Sequence, residues 1–232
     1  MGQNPQKDLT RVNTVLFDFD GTVMDTNELI LESWRHTIRT LAGREADEDE
    51  IRLTLGEVIA DSMRRLLPDV DVERAVGVYR DYQRDRYLDR IRLFDGTEET
   101  LRALKAAGCK TGLATSRLKN TTEQGLAHFG IADLFDAVLT ASDTDKFKPD
   151  PAPLLMILEM LGSRPEEAVF IGDTRHDIEA GLAAGVFTVL VDWSFALPPE
   201  KRKDAPTPDA VIKDMPGILK LLGMRISKPS HA

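Results

Sequence analysis

Residues 14–23 read Thr14-Val15-Leu16-Phe17-Asp18-Phe19-Asp20-Gly21-Thr22-Val23. The run at 14–17 predicts a buried β-strand, and Gly21 predicts a turn directly behind it. Alternate side chains of an extended backbone share a face, so we expect Asp18 and Asp20 to project together from the carboxyl end of the strand. Two carboxylates this close share a proton or hold a divalent cation between them. Asp-x-Asp-Gly is also an ordinary turn sequence, so the interpretation depends on the rest of the chain.

Polar residues also follow three further strand-like runs. Ligands of open α/β sheets bind where parallel strands end, so these residues are predicted to meet Asp18 and Asp20 in one crevice. The three groups are Ala114-Thr115-Ser116, Lys148-Pro149-Asp150-Pro151 and Ile171-Gly172-Asp173-Thr174-Arg175-His176-Asp177.

Short apolar runs alternate with helical patterns over most of the chain. This alternation predicts an α/β fold, a doubly wound parallel sheet with helices on both faces. Helices are predicted at Pro151–Leu161 and Thr97–Ala107, each stopped by a glycine, and a surface loop at Ala196–Pro208. The predicted strands are Thr14–Phe17, Thr111–Ala114, Ala137–Thr140, Val169–Ile171, Phe187–Val191 and a last short one at Ala210–Ile212.

Residues 26–92 depart from this alternation. No strand is predicted there, and apolar residues recur three and four positions apart, as in Ile30, Trp34, Ile38 and Leu41, which predicts helices. Because this insertion begins directly after the aspartate turn, we expect it to lie over the crevice as a lid. The predicted organisation is a first core segment at 12–25, a helical cap at 26–92 and a second core segment at 93–224.

Charge and composition exclude several classes of partner. The chain has 232 residues and a net charge of -9, which argues against nonspecific binding to nucleic acid or anionic membranes. The single cysteine, Cys109, cannot form an internal disulfide and is expected to be a buried thiol without a catalytic role. The segment Met1–Arg11 lacks the apolar core of a signal peptide, and no apolar run is long enough to span a membrane. A cytoplasmic location is therefore expected, and the oligomeric state is not predicted.

The four polar groups resemble, in order and in residue type, the four motifs of the haloacid dehalogenase superfamily of phosphatases. The resemblance extends from Val12 to Leu222. It implies a Rossmann-like core with a helical cap, Mg²⁺ as cofactor and a small-molecule phosphate as substrate. It also implies that Asp18 is the nucleophile that forms an aspartyl-phosphate, and that Asp20 protonates the leaving oxygen and then activates water.

The same resemblance assigns the other charge-stabilising groups. Thr115 is expected to donate a hydrogen bond to a phosphoryl oxygen, with Ser116 as a second donor. Lys148 is expected to place a positive charge beside the nucleophile and the phosphate. It is preferred over Lys146 because Lys148-Pro149-x-Pro151 has the family's spacing.

The magnesium site is predicted at four aspartates. Asp173 is expected to bind the ion directly and Asp177, one helical turn further, to act through water or from the surrounding shell. The carboxyl of Asp20 is counted in this group but reserved for proton transfer. The four are Asp18, Asp20, Asp173 and Asp177.

Two short segments are predicted to contact the substrate. In the aspartate turn, the backbone amides of Phe19 and Asp20 form a predicted anion nest, with Gly21 and Thr22 also assigned to substrate binding. In the insertion, the segment Leu53–Glu57 is expected to meet the leaving group through Gly56 and Glu57.

Within the superfamily, several phrases most resemble the bacterial inorganic pyrophosphatases, with phosphoglycolate phosphatases as the alternative. These phrases lie at residues 23–30, 34–37, 148–154 and 176–178. Haloacid dehalogenation is disfavoured because Asp20 is present. A β-phosphoglucomutase-like isomerase would carry a histidine where this chain has Ile30, and a non-enzymatic receiver-type domain would have no reason for a helical lid.

Overall fold

The apolar run before the aspartate pair forms an interior strand of the main sheet. The computed structural model describes residues 9–224. Strand β1 (Thr14–Phe17) is fully buried and pairs in parallel with β4 (Lys110–Ala114) on one side and β6 (Ala168–Gly172) on the other. A strand with helices over both faces has no solvent-facing side, which explains why its apolar residues are consecutive rather than alternating.

The main sheet has six parallel strands in the order β5 (Ala137–Leu139), β4, β1, β6, β7 (Phe187–Val191) and β8 (Ala210–Ile212). Helices pack on both faces: Val15 and Phe17 of β1 belong to one buried cluster, and Leu16 belongs to the other. This confirms the predicted doubly wound parallel sheet. The helices of this part are α6 (Thr97–Ala106), α7 (Lys119–His128), α8 (Ala152–Leu161), α9 (Arg175–Ala184) and α10 (Gly217–Leu221).

Five helices lie between the first strand and the rest of the sheet. The first four share a hydrophobic cluster of their own, in which Trp34 and Tyr79 pack with ring centroids 5.2 Å apart, whereas Tyr87 of the fifth belongs to the core cluster. We call residues 26–92 the cap, as in the predicted division of the chain, whose boundaries stay a prediction. The five helices are α1 (Asn27–Ala42), α2 (Glu48–Arg52), α3 (Ile59–Leu66), α4 (Val72–Arg84) and α5 (Tyr87–Arg90).

A short antiparallel ribbon joins the cap to the sheet. Strand β2 (Met24–Asp25) pairs with β3 (Arg92–Leu93), so the two chain crossings between the cap and the core lie side by side. The expectation that no strand occurs in residues 26–92 is wrong at Arg92, and β2 was likewise not predicted. Two-residue strands are too short to produce a hydrophobic period, so the sequence pattern does not reveal them.

The other predicted elements agree with the structure to within one or two residues. Helix α8 begins at Ala152 and ends at Leu161, where Gly162 takes the left-handed conformation expected of a stop signal. The predicted loop at Ala196–Pro208 contains a 3-10 helix at Pro199–Asp204, and further 3-10 turns lie at Leu9–Arg11, Ala132–Leu134 and Pro165–Glu167. Cys109 is buried, as expected. Within residues 9–224, no helix has the length and apolar character needed to cross a membrane.

Candidate active site

The turn after β1 is built around a close approach between Gly21 and Asp173. Gly21 has a φ of 81°, a left-handed conformation that glycine adopts without strain. Its N–H donates to the Met24 carbonyl at 2.8 Å, and the Met24 N–H donates to the Phe19 carbonyl at 2.8 Å. A Cβ atom at residue 21 would lie 2.3 Å from Asp173 Oδ2. Glycine therefore leaves the space through which Asp173 reaches this turn.

Three aspartates that follow β1 and β6 form a buried carboxylate cluster. Asp18, Asp173 and Asp177 each offer an oxygen, and these atoms lie within 4.8 Å of one another. Asp173 Oδ1 is buried without a hydrogen-bond partner among the described residues. Carboxylate oxygens are the ligands that hard divalent cations prefer. The donor set and the unpaired oxygen therefore fit a metal ion of this kind.

Lys148 is the cation of the carboxylate cluster. Its Nζ atom contacts Asp18 Oδ1, donates to Asp177 Oδ1 at 2.6 Å and reaches the Ala114 carbonyl at 3.2 Å. The side chain is only 4% exposed, so its charge acts where water screens it little. Lys146, the competitor in sequence, is 66% exposed and pairs with Asp150 at 3.3 Å. The structure thus brings Lys148, and not Lys146, to the nucleophile predicted at Asp18.

Burial and the single ammonium set the protonation of the cluster. Burial raises the pKa of Asp18 to about 7, although Lys148 partly opposes the shift. Burial also raises the pKa of Asp173, and the neighbouring charge of Asp177 adds to this rise. Burial acts in the same direction on Asp177, but Lys148 and hydrogen bonds from Lys148 and Thr174 outweigh it and hold the pKa of Asp177 below its ordinary value. Desolvation opposes the charge of Lys148, yet its two carboxylate partners raise the pKa of the ammonium.

Asp177 also organises the start of α9. Its Oδ2 atom accepts hydrogen bonds from Thr174 N–H at 2.9 Å, from Thr174 Oγ1 at 2.6 Å and from Asp173 N–H at 3.2 Å. A Cβ at Gly172 would lie 2.3 Å from the Cβ of Asp177. These contacts fix Asp177 in one position and leave its other oxygen, Oδ1, to Lys148.

The Asp20 carboxylate does not join the cluster. Instead it accepts hydrogen bonds from Arg117 Nη2 at 2.7 Å, from Arg117 Nε at 3.0 Å and from Thr26 Oγ1 at 2.7 Å. Strand β1 ends at Phe17, so the alternation of an extended backbone no longer applies at residue 20. The sequence prediction that grouped Asp20 with the other three aspartates around a metal is therefore not matched by the placement of its side chain.

Sequence reasoning missed Arg117. Its guanidinium is 8% exposed, pairs with Asp20 and lies over the Tyr87 ring of the cap with 4.9 Å to the ring centroid. Arg117 directly follows Thr115 and Ser116, so its place at the end of β4 was the available signal. An arginine after a strand is usually solvated, and only the fold brings this one to Asp20.

Of the other residues predicted to form the site, those of the aspartate turn have buried side chains and those after β4 line the cavity. The Phe19 side chain is fully buried in the core, and its N–H makes no backbone hydrogen bond within residues 9–224. The Thr22 side chain is buried, and its Oγ1 has no partner there either. Thr115 Oγ1 accepts from the Arg117 N–H at 3.0 Å, and Ser116 lies with Thr115 on the wall of the main cavity.

That cavity, of about 690 Å³, lies between the cap and the carboxyl ends of the strands. Its core side includes Asp18, Asp20, Lys148, Asp173 and Asp177, so residues from the predicted polar groups do share one crevice. On the cap side it is lined by several helices and by residues 54–57. These residues belong to the segment Leu53–Glu57 that is predicted to meet the leaving group, which we call the specificity segment.

The specificity segment touches the core beside the cluster. Gly56 has a φ of 83°, and a Cβ there would lie 2.9 Å from Thr174 Oγ1 and 3.1 Å from His176 Nδ1. Glu57 is held within the cap, where it accepts from Ser62 Oγ and from Arg65 Nη2, both at 2.5 Å. Leu53 is 64% exposed and does not line the cavity.

Comparison with curated proteins finds relatives over nearly the whole chain. The chain is 35% identical over 212 residues to "Pyrophosphatase PpaX" of Bacillus cereus, covering 91% of this chain and 97% of that protein. It is also 35% identical over 215 residues to the protein of the same name from Halalkalibacterium halodurans, covering 92% and 98%.

A solved structure shares the fold of this chain, and a family model matches most of its length. A structure from Haemophilus somnus, described as a predicted phosphoglycolate phosphatase, superimposes with a TM-score of 0.81 at 23% identity, covering 91% of this chain and 98% of that one, which establishes the fold alone. The family model described as "Haloacid dehalogenase-like hydrolase" matches residues 15–191 and so includes β1, the cap and the strands that carry the aspartates. This confirms the resemblance seen in the sequence motifs. The chain belongs to the haloacid dehalogenase-like hydrolase family.

Proposed function

We propose that this chain is a magnesium-dependent phosphohydrolase that takes a phosphoryl group onto Asp18, with inorganic pyrophosphate as its substrate. The observation that carries the proposal is the buried set of Asp18, Asp173 and Asp177 with Lys148 among them, at the floor of a cavity closed by a cap. Hydrolysis of a phosphate needs a nucleophile and positive charge against the phosphoryl oxygens, and this set contains both.

The carboxylate cluster is the proposed magnesium site. The all-oxygen donor set and the unpaired Asp173 Oδ1 support this assignment, since Mg²⁺ prefers oxygen and no cysteine or histidine belongs to the cluster. When bound, Mg²⁺ supplies positive charge that neutralises the transferred phosphoryl group. Asp177 is already engaged by Lys148 and Thr174, so Asp18 and Asp173 are the proposed direct ligands.

Asp18 is the proposed nucleophile. One carboxylate oxygen attacks phosphorus while the bond from phosphorus to the leaving oxygen breaks, which gives an aspartyl-phosphate and the leaving group. Water then attacks the same phosphorus and releases Asp18 and inorganic phosphate. Lys148 keeps Asp18 oriented through its ammonium, and the hydroxyls of Thr115 and Ser116 are the proposed donors to the nonbridging oxygens.

Asp20 is the proposed proton carrier. Arg117 Nη2 and Thr26 Oγ1 both donate to its Oδ1, whereas Oδ2 accepts only from Arg117 Nε at 3.0 Å. Oδ2 is thus the oxygen with capacity left to give a proton to the leaving group and to take one from water. The proposed role of Arg117 and Thr26 is to position this carboxylate, since both donate hydrogen bonds to it.

Pyrophosphate is preferred as the substrate because the curated relatives at 35% identity are named pyrophosphatases. 2-Phosphoglycolate is the alternative. Both are small phosphate compounds that the cavity accommodates in volume.

The test is phosphate release by the purified protein from pyrophosphate, 2-phosphoglycolate and a sugar-phosphate panel, each with magnesium. We expect the highest kcat/KM on pyrophosphate and none of this turnover in the Asp18→Asn variant. A higher kcat/KM on 2-phosphoglycolate would assign the alternative. Absence of magnesium-dependent turnover on every phosphate compound would refute the proposed function.

A further inference from the structure

The cap side of the cavity presents a set of polar side chains that the proposed chemistry leaves unused. Arg80, Gln83 and Arg84 of α4 line the cavity together with Asn27 of α1. The α4 residues are spaced three and four apart, so they share one face of the helix. We call these four residues the cap-side wall.

Arg80 lacks an ion-pair partner within residues 9–224. No carboxylate oxygen of those residues lies within 4.0 Å of its guanidinium. Among the described residues, Arg84 forms an ion pair only with Asp81 of the same helix, and both side chains of that pair are exposed. Exposed pairs of this kind stabilise a fold little, so Arg84 can exchange its partner at small cost.

Acidic groups that could neutralise the cap-side wall are scarce around the cavity. Apart from the aspartates of the core, Glu57 is the only carboxylate among the described lining residues. It is already bound by Arg65 and Ser62. Arg117, the other arginine of the lining, is occupied by Asp20. The positive charge on the cap side therefore has no counter-charge of its own within the cavity.

We infer that the cap-side wall binds a negatively charged leaving group, with Arg80 and Arg84 as specificity-determining residues. This inference rests on the proposed function, in which the core holds the transferred phosphoryl group and the rest of the substrate faces the cap. The second phosphate of pyrophosphate and the carboxylate of 2-phosphoglycolate share the required chemistry. A neutral alcohol offers the arginines no opposite charge.

The competing interpretation is an apolar leaving group. Ile30, Trp34 and Ile59 also line the cavity, and they would suit an aryl or alkyl group. Trp34 is only 2% exposed and packs against Tyr79 in the cap cluster, so little of its surface is available to a ligand. Arg80 and Arg84 of α4 are exposed and line the cavity without this restriction.

Binding of unreactive analogues tests the inference without turnover. The magnesium-loaded protein is titrated calorimetrically with methylenediphosphonate, which has a second anionic group, and with methylphosphonate, which has none. We expect the wild type to bind the diphosphonate at least about tenfold more tightly, as expected for one charge-assisted hydrogen bond. Arg80→Gln, alone or with Arg84→Gln, should remove most of this preference, and Arg80→Lys should restore part of it.

Arg74→Gln is the matched control, since Arg74 lies on the same helix, is exposed and does not line the cavity. It should leave the preference unchanged. Equal binding of the two analogues by the wild type, or an equal weakening of both by Arg80→Gln, would overturn the inference.

Turnover separates this inference from the proposed function. We expect Arg80→Gln to lower kcat/KM about tenfold on pyrophosphate or 2-phosphoglycolate and to leave phenyl phosphate unchanged. If the wild type has the same kcat/KM on phenyl phosphate as on the anionic substrates, the phosphohydrolase function stands and the anion-binding role of the cap-side wall is refuted. If it hydrolyses none of them but binds the diphosphonate selectively, the hydrolytic function is refuted and the wall is supported.

Discussion

A single lysine faces three buried carboxylates at the centre of the site. Lys148 contacts Asp18 and Asp177, and Asp173 has an oxygen with no donor among the described residues. The negative charge of the cluster therefore exceeds the positive charge that these side chains supply. Burial and this excess together explain why the pKa of Asp18 and the pKa of Asp173 are both raised. A divalent ion would remove the imbalance.

The variant Asp18→Asn tests the nucleophile. It removes the attacking oxygen and a metal ligand but keeps the volume of the side chain, so we expect nearly complete loss of phosphate release from a folded protein. Circular dichroism and the midpoint of thermal unfolding give the folding control. Near-normal turnover in freshly prepared variant, before any deamidation, would show that another residue is the nucleophile.

The raised pKa of Asp18 predicts how stability changes with pH. Because this pKa is about 7 in the folded protein against an ordinary 3.8, the native state binds the extra proton between these values. Stability then falls as the pH rises through that window, by at most about 1.4 kcal/mol per pH unit for one group. In a chelator, Asp18→Asn should therefore gain stability relative to the wild type from about pH 4 to pH 7.

Urea unfolding of both proteins across this pH range measures the difference. Saturating magnesium should reduce or reverse it, since the ion binds the ionised carboxylate of the wild type. A difference independent of pH in chelator would contradict the raised pKa.

At the scale of elements, two further contacts join the cap to the core, besides those made by Gly56 and Tyr87. One is the ribbon of β2 and β3, through which the chain enters and leaves the cap. The other lies across the cavity, where Arg52 of α2 donates to the Phe195 carbonyl and stacks 3.9 Å from its ring centroid. Lys201 and Asp49 add an ion pair of 3.1 Å beside it. These contacts join the cap to the core at the ribbon and at α2.

Gly56 lies against the start of α9. The variant Gly56→Ala adds a Cβ that would lie 2.9 Å from Thr174 Oγ1, so we expect it to push the segment away from the core and to lower kcat/KM. Gly43→Ala is the control, because Gly43 also has a positive φ in the cap but has nothing within 4 Å of the place where a Cβ would lie. Both variants should lose about 1–2 kcal/mol of stability through backbone strain.

Steady-state kinetics and urea unfolding of the two glycine variants give the result. Only Gly56→Ala should be impaired in kcat/KM. Equal kinetic loss in both variants would mean that cap stability, and not the contact with Thr174, controls activity.

Across the whole molecule, the site is assembled from segments far apart in sequence. Four of its residues follow four different strands along the sheet edge, and the cap contributes the opposite wall of the cavity. These residues are Asp18 after β1, Thr115 after β4, Lys148 after β5 and Asp173 after β6. A metal ion held by Asp18 and Asp173 would tie the ends of the neighbouring strands β1 and β6 together. Metal binding is therefore expected to stabilise the whole fold and not only the site.

Magnesium removal tests this expectation. Chelation should stop phosphate release and lower the midpoint of thermal unfolding, and added magnesium should restore both; at a concentration of about 100 times Kd the gain is about 2.7 kcal/mol. Calcium should restore stability better than turnover, because its looser coordination does not fix in-line geometry. Undiminished activity after exhaustive chelation would refute the metal assignment.

Local patterns predicted most of the elements. The buried strands and the stop of α8 at Gly162 follow from apolar runs and glycine placement, which depend on neighbouring residues only. Asp18 and Asp173 follow for the same reason, since each directly succeeds a strand, whereas Lys148 was chosen by its place before Pro149 in the spacing that the family resemblance implies. The ribbon of β2 and β3 was not predicted, because strands of two residues are too short to show a hydrophobic period.

The sequence by itself determined the doubly wound sheet, the helical insertion and the set of polar residues that enter the crevice, because hydrophobic period and turn chemistry are local properties. Only the tertiary structure decided which charges meet. It pairs Asp20 with Arg117, 97 residues further along the chain, and joins Lys148 to Asp18 across 130 residues. It also turns Arg80 toward the cavity. Electrostatic partners are set by distance and burial in three dimensions, and no spacing along the chain encodes either.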